Sequence, residues 1–582
     1  MEANAILDQE IEVDVLVVGG GSSGLWAAIR ALDFCPRVIV ADKGKITSSG
    51  VSTMIHGVQA PLEENEILTA MKELVEGSVF LADQDRLSIL LREMGLRFKE
   101  MVDWGVPFER DADGKLHTQH RMGLKTNRMA FVNGRQMMRE MKAKALAGGV
   151  WFLERAMITD LLTSDGYHPS QGRIVGAVGF NTITGGFIII KAKAVVITTG
   201  LIGAKQHLSY VDGLTGDGTA MALRVGAELE NMELSQSAAF SLWERSFSTG
   251  GQAEYMRAGA KVVNSLGEDI ILKYAPDKVE PFLSKLNICF AAVKEILEGR
   301  GPIYMDMRNL TDKDVALLRN VLPSAMRAFD EAGVDIQKQQ VEITPAVHHW
   351  GTGGGIKISP DGETNIPGLY AAGCASHNSA NYVSGAGQPQ AYNFFSGYRA
   401  GERAGRMAAA TGNAAIERKQ VELFMDSVFA PLSRAAGPSP GDLYLAVNSA
   451  TVPAEYSFFK QELRIKRVIE ELQRLQAEEL PVVRAHDIHE LVKANEVRNT
   501  IPVLEAIFRC SLERKESRHA HFREEYPYRD DINWLKWVII RKDSRGFVIR
   551  HEDIPVDRYP IRPDRREIVP GLIGFALGQS RE

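Results

Sequence analysis

Cysteine is scarce: four occur in 582 residues, Cys35, Cys289, Cys374 and Cys510, far apart and with no CxxC pair. That spacing argues against a disulfide scaffold, a structural zinc site or an iron–sulfur cluster held by this chain alone. No stretch approaches ~18 uninterrupted apolar residues, so no membrane-spanning helix is expected. The opening residues, MEANAILDQEIEVD, are acidic and lack the basic start and apolar core of a secretory signal; a reducing cytoplasm is the expected setting. Positive charge is not in excess either. Lys+Arg 68 against Asp+Glu 74 gives a formal charge of −6, which offers no footprint for nucleic acid. What is present, 45% hydrophobic and 24% charged residues, is ordinary globular composition. At roughly 150 residues per domain the length suggests three or four units.

The informative stretch starts at once. Val13 and Val15–Val18 form a nearly all-apolar run, as expected of a parallel strand covered on both faces. Gly19-Gly20-Gly21-Ser22-Ser23-Gly24 follows and satisfies G-x-G-x-x-G, and Leu25, Ala28, Ile29 and Leu32 then recur at helical spacing. Gly19, Gly21 and Gly24 suit a tight turn, close backbone approach to a pyrophosphate and close helix–strand packing. The N–H groups at the helix start, around Ser22 and Ser23, bind phosphates. A second strand, Arg37–Ala41, ends in Asp42, 18 residues after Gly24, where an acid accepts ribose hydroxyls; Lys43 follows it. A dinucleotide site is the expectation.

Nicotinamide and flavin enzymes share that fingerprint. Residues 194–200 give an apolar strand ending in Thr198-Thr199-Gly200, and residues 366–373 give another entering Gly373. Ser384-Gly385-Ala386-Gly387-Gln388-Pro389 then opens a helix with Ala391, Phe394, Phe395 and Tyr398 on one face. A helix N-terminus aimed at an isoalloxazine ring would stabilise the charge that builds at its N1/C2-carbonyl edge on reduction. These elements resemble the nucleotide signatures of the FAD-dependent succinate dehydrogenase/fumarate reductase flavoprotein superfamily. Thr215-Gly216-Asp217-Gly218 and the following AMALRVGAELENME are similar to its second signature, and residues 511–535 to its C-terminal segment.

The resemblance implies an α/β (overall α+β) architecture: a Rossmann-like FAD-binding domain of residues 1–230 and 346–415 with an inserted capping domain at 231–345. A helical domain at 416–525 and a small β-containing tail at 526–582 would follow. Charged sequence such as FFKQELRIKRVIEELQRLQAEEL is expected to form solvated helix faces. WLKWVIIRKDSRGFVIRHEDIP is expected to form two strands joined by a glycine turn.

The departures from the family pattern carry as much information. Members that attach FAD covalently have a histidine after the second strand, where this chain reads Thr47-Ser48-Ser49-Gly50-Val51; FAD is therefore expected without a covalent bond. Succinate and fumarate members have His-Pro-Thr-Gly where this chain has Asn231–Ser237. They also have catalytic and carboxylate-binding arginines in segments corresponding to 286–297 and 381–388, which here contain none. Arginine forks are the natural partners of carboxylates, so dicarboxylate chemistry is not expected. Ser49-Gly50-Val51, Glu298–Met305 and the Trp534–Trp537 region look closer to the adenylylsulfate reductase alpha subunit, whose electrons come from a small ferredoxin-like iron–sulfur subunit.

The resemblance makes Pro345–Ile356, PAVHHWGTGGGI, the best catalytic segment, with His349 favoured over His348 for its nearness to the glycines. A histidine there could polarise an oxygen or carry a proton near neutral pH, with glycine letting the backbone approach the ring. Two hydrogen-bonded structural histidines remain the alternative, and no metal site is implied. Asn378, Asn381 and Tyr382, before the flavin helix, and Trp243 and Arg257, in the cap, are candidate substrate contacts. Cys374 reads as a small packed residue, and His519 and His521 as structural residues of an extended segment. The reading is an FAD-dependent oxidoreductase acting on a small organic or sulfur-containing substrate, with a possible ferredoxin-like partner and a possible oligomeric state. An oxidase using dioxygen, a nicotinamide enzyme and a flavin-binding RNA-modification or scaffold protein stay open beside it.

Overall fold

A computed structural model of the chain describes residues 7–120, 124–206, 212–243, 247–249, 252–274, 285–377, 387–412 and 415–570. The apolar run at 13–18 is the end of a longer strand, β1 (Leu7–Val18), whose Val13 and Val15–Val18 are buried. β1 lies between β2 (Val38–Asp42) and β6 (Phe187–Ile197), parallel to both, which is why its sequence is continuously apolar there. Its polar first half escapes a hydrophobicity reading; pairing with β6 holds it, helped by Glu10 against Lys191 at 2.7 Å. β3 (Trp151–Glu154) extends the sheet beyond β2. On the far edge of β6, residues 187–191 pair antiparallel with β5 (Ile174–Asn181), itself paired with β4 (Ala156–Thr163). Residues 195–197 of β6 pair parallel with β12 (Leu369–Ala371).

Two helices cover one face of this sheet. α1 (Ser22–Ala31) follows β1, and α4 (Gln388–Ala409) lies against α1 along a stripe of glycines four residues apart. A Cβ at Gly397 would strike the carbonyl of Ser23, one at Gly401 the carbonyl of Ala27, and one at Gly405 that of Ala31 at 2.9 Å. Only glycine permits this approach, and it seats the N-termini of α1 and α4 side by side.

The chain leaves this layer through α2 (Asp217–Arg224) and enters a five-stranded antiparallel sheet in the order β8-β7-β11-β10-β9. Its strands are β7 (Gln236–Trp243), β8 (Phe247–Thr249), β9 (Lys261–Val263), β10 (Ile303–Asp306) and β11 (Val341–His349). β11 runs to His349, past the boundary of 345/346 read from the sequence, because its last residues still pair with Gln236–Ala239 of β7. α3 (Lys285–Leu297) packs on this sheet. Its Phe290 meets Phe458, Phe459 and Phe522 edge-on at 5.1, 5.7 and 6.1 Å, which joins the inserted unit to the helical region.

In that helical region the charged run Glu462–Arg474 buries Ile465, Val468, Ile469 and Leu472, a spacing that leaves the charges on the outer face. The long α5 (Ile488–Glu513) runs beneath α2. β13 (Lys536–Asp543) and β14 (Gly546–Asp553) form the hairpin read from the sequence. β13 also pairs with Leu229–Glu230, which pairs with Gly355–Ile356, so the tail is sewn into the body of the fold. His519 and His521 do not lie in an extended segment: residues 518–521 make a tight turn with His519 at φ +52°. His521 is fully buried, its Nε2 3.1 Å from the carbonyl of Arg514, and burial pushes its pKa well below the ordinary histidine value.

Candidate functional site

The glycine turn at the C-terminal end of β1 shows three different uses of glycine. Gly19 has φ +110° and a Cβ there would meet the Thr198 carbonyl at 2.5 Å; a Cβ at Gly24 would strike the Gly19 carbonyl. These two serve close packing of strand, helix and neighbouring strand. At Gly21 a Cβ would meet only Ser52 Oγ, at 3.5 Å, so the space above this residue is open. Gly50, at φ +80°, likewise faces no heavy atom within 4 Å. An open cradle over the N-terminus of α1 fits a phosphate group of a dinucleotide. Thr199 adds a second fit, since its Oγ1 is buried with no partner among the described residues and a buried hydroxyl needs one.

Asp42 closes the turn from the side. Its Oδ2 accepts from the Gly20 N–H and its Oδ1 from the Gly44 N–H, both at 2.7 Å. Each carboxylate oxygen has two lone pairs, so capacity remains for sugar hydroxyls. Ser52, unmarked by any sequence pattern, lies over the turn: its Oγ accepts the Ser22 N–H at 3.2 Å and is 3.2 Å from Ser22 Oγ. Ser49 donates to the Lys45 carbonyl at 2.9 Å and is exposed.

Lys43 departs from its expected role beside the cofactor. Its ammonium donates to Thr215 Oγ1 at 2.8 Å, Asp217 Oδ2 at 2.7 Å and Glu496 Oε1 at 2.8 Å. Those three bonds use all three N–H donors, so none is left for a ligand. Asp217, at the first turn of α2, also accepts from Asn499 at 2.9 Å and so joins the sheet layer to α5. Gly200 sits at φ +81° where β6 ends.

At the other helix, Gly387 (φ +74°) rests on the backbone of Val58 and Gln59, and Pro389 occupies the first turn of α4. Gln388 is fully buried there. Gly373 (φ +65°) abuts Ser23 of α1, and its N–H donates to Ser396 Oγ at 2.9 Å. Burial pushes the Cys374 thiol up to about 11, so it is a poor nucleophile. Ser384, Gly385, Asn378, Asn381 and Tyr382 lie outside the described residues.

His349 ends β11 and is 2% exposed, at the point where the chain crosses from the inserted sheet back to the first layer. The next residue, Trp350, donates its N–H to the Ile202 carbonyl at 2.8 Å, and Gln206 Nε2 bonds the Val347 carbonyl, so residues 202–206 hold both flanks of the histidine pair. His348 precedes it in the same strand. Two of the glycines after them are fixed by packing. A Cβ at Gly354 would strike the Glu230 carbonyl, and one at Gly355 would meet Ser376 C at 2.6 Å, so these glycines pack backbone on backbone. Of the substrate candidates in the inserted unit, Trp243 ends β7, and Arg257 pairs with Glu254 on its own helix at 3.4 Å.

The structure adds a buried group that no sequence pattern marks. His377 Nδ1 lies 2.9 Å from Glu230 Oε1, and its carbonyl accepts from Arg86 at 2.8 Å and Tyr392 Oη at 2.9 Å. Burial opposes ionisation of Glu230, but His377 and Arg86 outweigh it and hold its pKa below the ordinary carboxyl value. Arg86 and Glu230 are far from His377 in sequence, so no local spacing marks the group.

Comparison with known proteins agrees with this geometry. Residues 14–388 match the FAD binding domain family, and residues 449–568 match the fumarate reductase flavoprotein C-terminal family. The chain is 28% identical to the fumarate reductase flavoprotein subunit of Mycobacterium tuberculosis, over 94% of this chain and 98% of that one. A solved E. coli quinol fumarate reductase superposes with a TM-score of 0.84 at 24% identity, covering 95% of this chain and 99% of the other. The adenylylsulfate reductase of Archaeoglobus fulgidus superposes with a TM-score of 0.77 at 21% identity, covering 95% and 97%. In overall shape the first of these two is the nearer. Among the described residues no helix is long and apolar enough to cross a membrane. The chain belongs to the FAD binding domain family and is an FAD-dependent oxidoreductase of the succinate dehydrogenase/fumarate reductase flavoprotein superfamily.

Proposed function

We propose that the chain transfers a hydride between a non-covalently held FAD and a small organic or sulfur-containing substrate enclosed between the FAD-binding sheet and the inserted cap. When bound, FAD supplies the two-electron chemistry at its N5. The diphosphate lies over Gly21, against the N–H groups that open α1 at Ser22 and Ser23, and Asp42 accepts from the adenosine ribose. Ser49, Gly50, Thr199, Gly200, Asp217 and Gly373 border the rest of the dinucleotide. The N-terminus of α4 at Gln388 faces the ring edge that gains negative charge, and Ser384 and Gly385, which precede it in sequence, are assigned to the same cofactor. Asn378, Asn381, Tyr382, Trp243 and Arg257 contribute to the substrate side.

The observation that carries this reading is the buried imidazole of His349 at the crossing from cap to FAD layer. A histidine shielded from water can hold or deliver the proton that accompanies hydride transfer, with His348 as its understudy. The substrate class follows from the absence of arginine in residues 286–297. α3 there has Phe290 packed among aromatic rings and carries no arginine fork for a carboxylate; its Lys294 stands over the Tyr274 ring. Electrons then pass to or from a small ferredoxin-like iron–sulfur subunit.

The test is anaerobic bleaching of the flavin absorbance in the purified holoprotein. Succinate is expected to leave the flavin oxidised, whereas a compound from a panel of small alcohols, amines and sulfite bleaches it; rapid bleaching by succinate would overturn the substrate class. With the compound so found, His349→Ala keeps its FAD but slows single-turnover bleaching by about 10²–10⁴-fold, the usual range for a proton-transfer group. An unchanged rate removes His349 from the chemistry. Reoxidation by dioxygen at turnover speed, with peroxide formed, would make the protein an oxidase with no need of a carrier subunit.

A further inference from the structure

The pairing of β11 with β7 slips by one residue at its end. Ser237 faces Val347 and Gln236 faces His349, which leaves His348 as the extra residue of a β-bulge. Bulges re-aim side chains beside functional sites, and this one falls within the histidine pair. β10 reaches β11 only at Val341–Ile343, well short of the bulge.

The bulge is held instead by residues 202–206. The Trp350 N–H donates to the Ile202 carbonyl at 2.8 Å and Gln206 Nε2 donates to the Val347 carbonyl, one bond on each side of the two histidines. Gln206 is 3% exposed, a buried amide where an apolar side chain would need no partner. The turn that presents it is costly. Ala204 and Lys205 stand at φ +53° and +47°, the left-handed region that both residues avoid. Neighbours keep them there. The Gly203 and Ala204 N–H groups donate to the Leu214 carbonyl at 2.7 and 3.2 Å, and Asn448 Nδ2 donates to the Lys205 carbonyl at 3.3 Å. The Lys205 ammonium lies 2.9 Å from Glu496. Strain that the surroundings over-determine in this way points to a task at the site it adjoins.

We propose that Gln206 is a positioning residue for the histidine pair: by holding the Val347 carbonyl it fixes the bulged peptide from which His348 and His349 serve the substrate. This rests on the reading that the pair carries the proton of hydride transfer. Gln206 acts through the backbone, so FAD binding does not depend on it. A displacement of about 1 Å in reacting geometry costs up to about 10²-fold in rate. Gln206→Met keeps the length, removes the donor and leaves the bond from Trp350 to Ile202 in place.

The experiment measures anaerobic single-turnover bleaching of the holoprotein by the panel compound. It compares wild type, Gln206→Met, His348→Ala/His349→Ala and the triple variant. The FAD Kd and hydrogen exchange of the peptide over residues 345–352 are followed alongside. Gln206→Met is expected to bleach about 10- to 100-fold more slowly at saturating compound, with an unchanged Kd and faster exchange confined to that peptide. In the triple variant it adds less than about 2-fold to the loss of the histidines, as residues acting as one unit do. Losses that multiply, exchange that rises along the whole chain, or an unchanged rate would each overturn the role of Gln206. Unchanged exchange at 345–352 overturns the hold on the bulge whatever the substrate. A His348→Ala/His349→Ala protein as fast as wild type overturns the reading of the pair, and this inference with it. Should Gln206→Met not fold, Gln206→Asn, whose amide is one carbon short of the carbonyl, decides by the same readouts.

Discussion

Gly21→Val is expected to give a folded, colourless protein. The Gly21 backbone is at φ −71°, a conformation open to any residue, so valine brings no backbone strain. Its Cβ would meet only Ser52 Oγ at 3.5 Å, so the fold has room for it. Its methyl groups then stand in the space assigned to the diphosphate and shield the N–H groups at the start of α1. Two lost bonds to a charged group, at roughly 1.5–3 kcal/mol each, weaken FAD by about 10²–10⁴-fold. The visible flavin band after purification and the Kd for FAD measure the loss, while circular dichroism and thermal unfolding check the fold. Gly24→Val makes the contrast, because its Cβ strikes the Gly19 carbonyl and the damage falls on folding first. A fully loaded, yellow Gly21→Val protein would mean that the diphosphate lies elsewhere.

That contrast shows how far the sequence alone reaches. G-x-G-x-x-G is legible because each glycine answers to neighbours a few residues away or to a strand of recognisable pattern. The same holds for the all-apolar end of β1 and for the β13–β14 hairpin. Gly21 and Gly24 are identical letters whose separate tasks the motif anticipates, and the structure agrees, with one facing open space and the other a carbonyl. In the glycine run after His349, too, the structure adds what the letters do not show: at Gly354 and Gly355 the missing side chain admits the backbones of Glu230 and Ser376. His377 and its partners Arg86 and Glu230 were invisible because buried polar partners are chosen by tertiary contact, which leaves no period in the sequence. The bulge at His348 and its hold at Gln206 were similarly silent, since both are set by neighbours far away in the chain.

Lys43 is the sharpest case, and its replacement carries the largest expected effect on stability. Next to Asp42 in sequence it invites a role at the cofactor, yet its partners lie 172, 174 and 453 residues away. Lys43→Met is expected to lower the unfolding free energy by about 3–5 kcal/mol, because it strips a shared cation from two buried carboxylates. Asp217 is left with Asn499 and Thr215, and Glu496 with Lys205 at 2.9 Å, which keeps the loss below that of two isolated charges. Burial by itself would lower the lysine pKa; Asp217 and Glu496 outweigh it and raise it above the ordinary 10.5. A raised cation stabilises fully below its unfolded pKa and loses that contribution as pH climbs through the folded value. The gap between wild type and Lys43→Met should therefore stay constant from neutrality to about pH 10 and close only in stronger alkali. Denaturant midpoints of the apoproteins across that range measure it. Adding Glu496→Gln to Lys43→Met should recover part of the loss, since the second change removes a carboxylate already short of its cation. Equal midpoints for wild type and Lys43→Met would show that the lysine is solvated rather than clamped, and that Arg498 on Asp160 and Asn499 on Asp217 suffice to hold α5 to the FAD-binding layer.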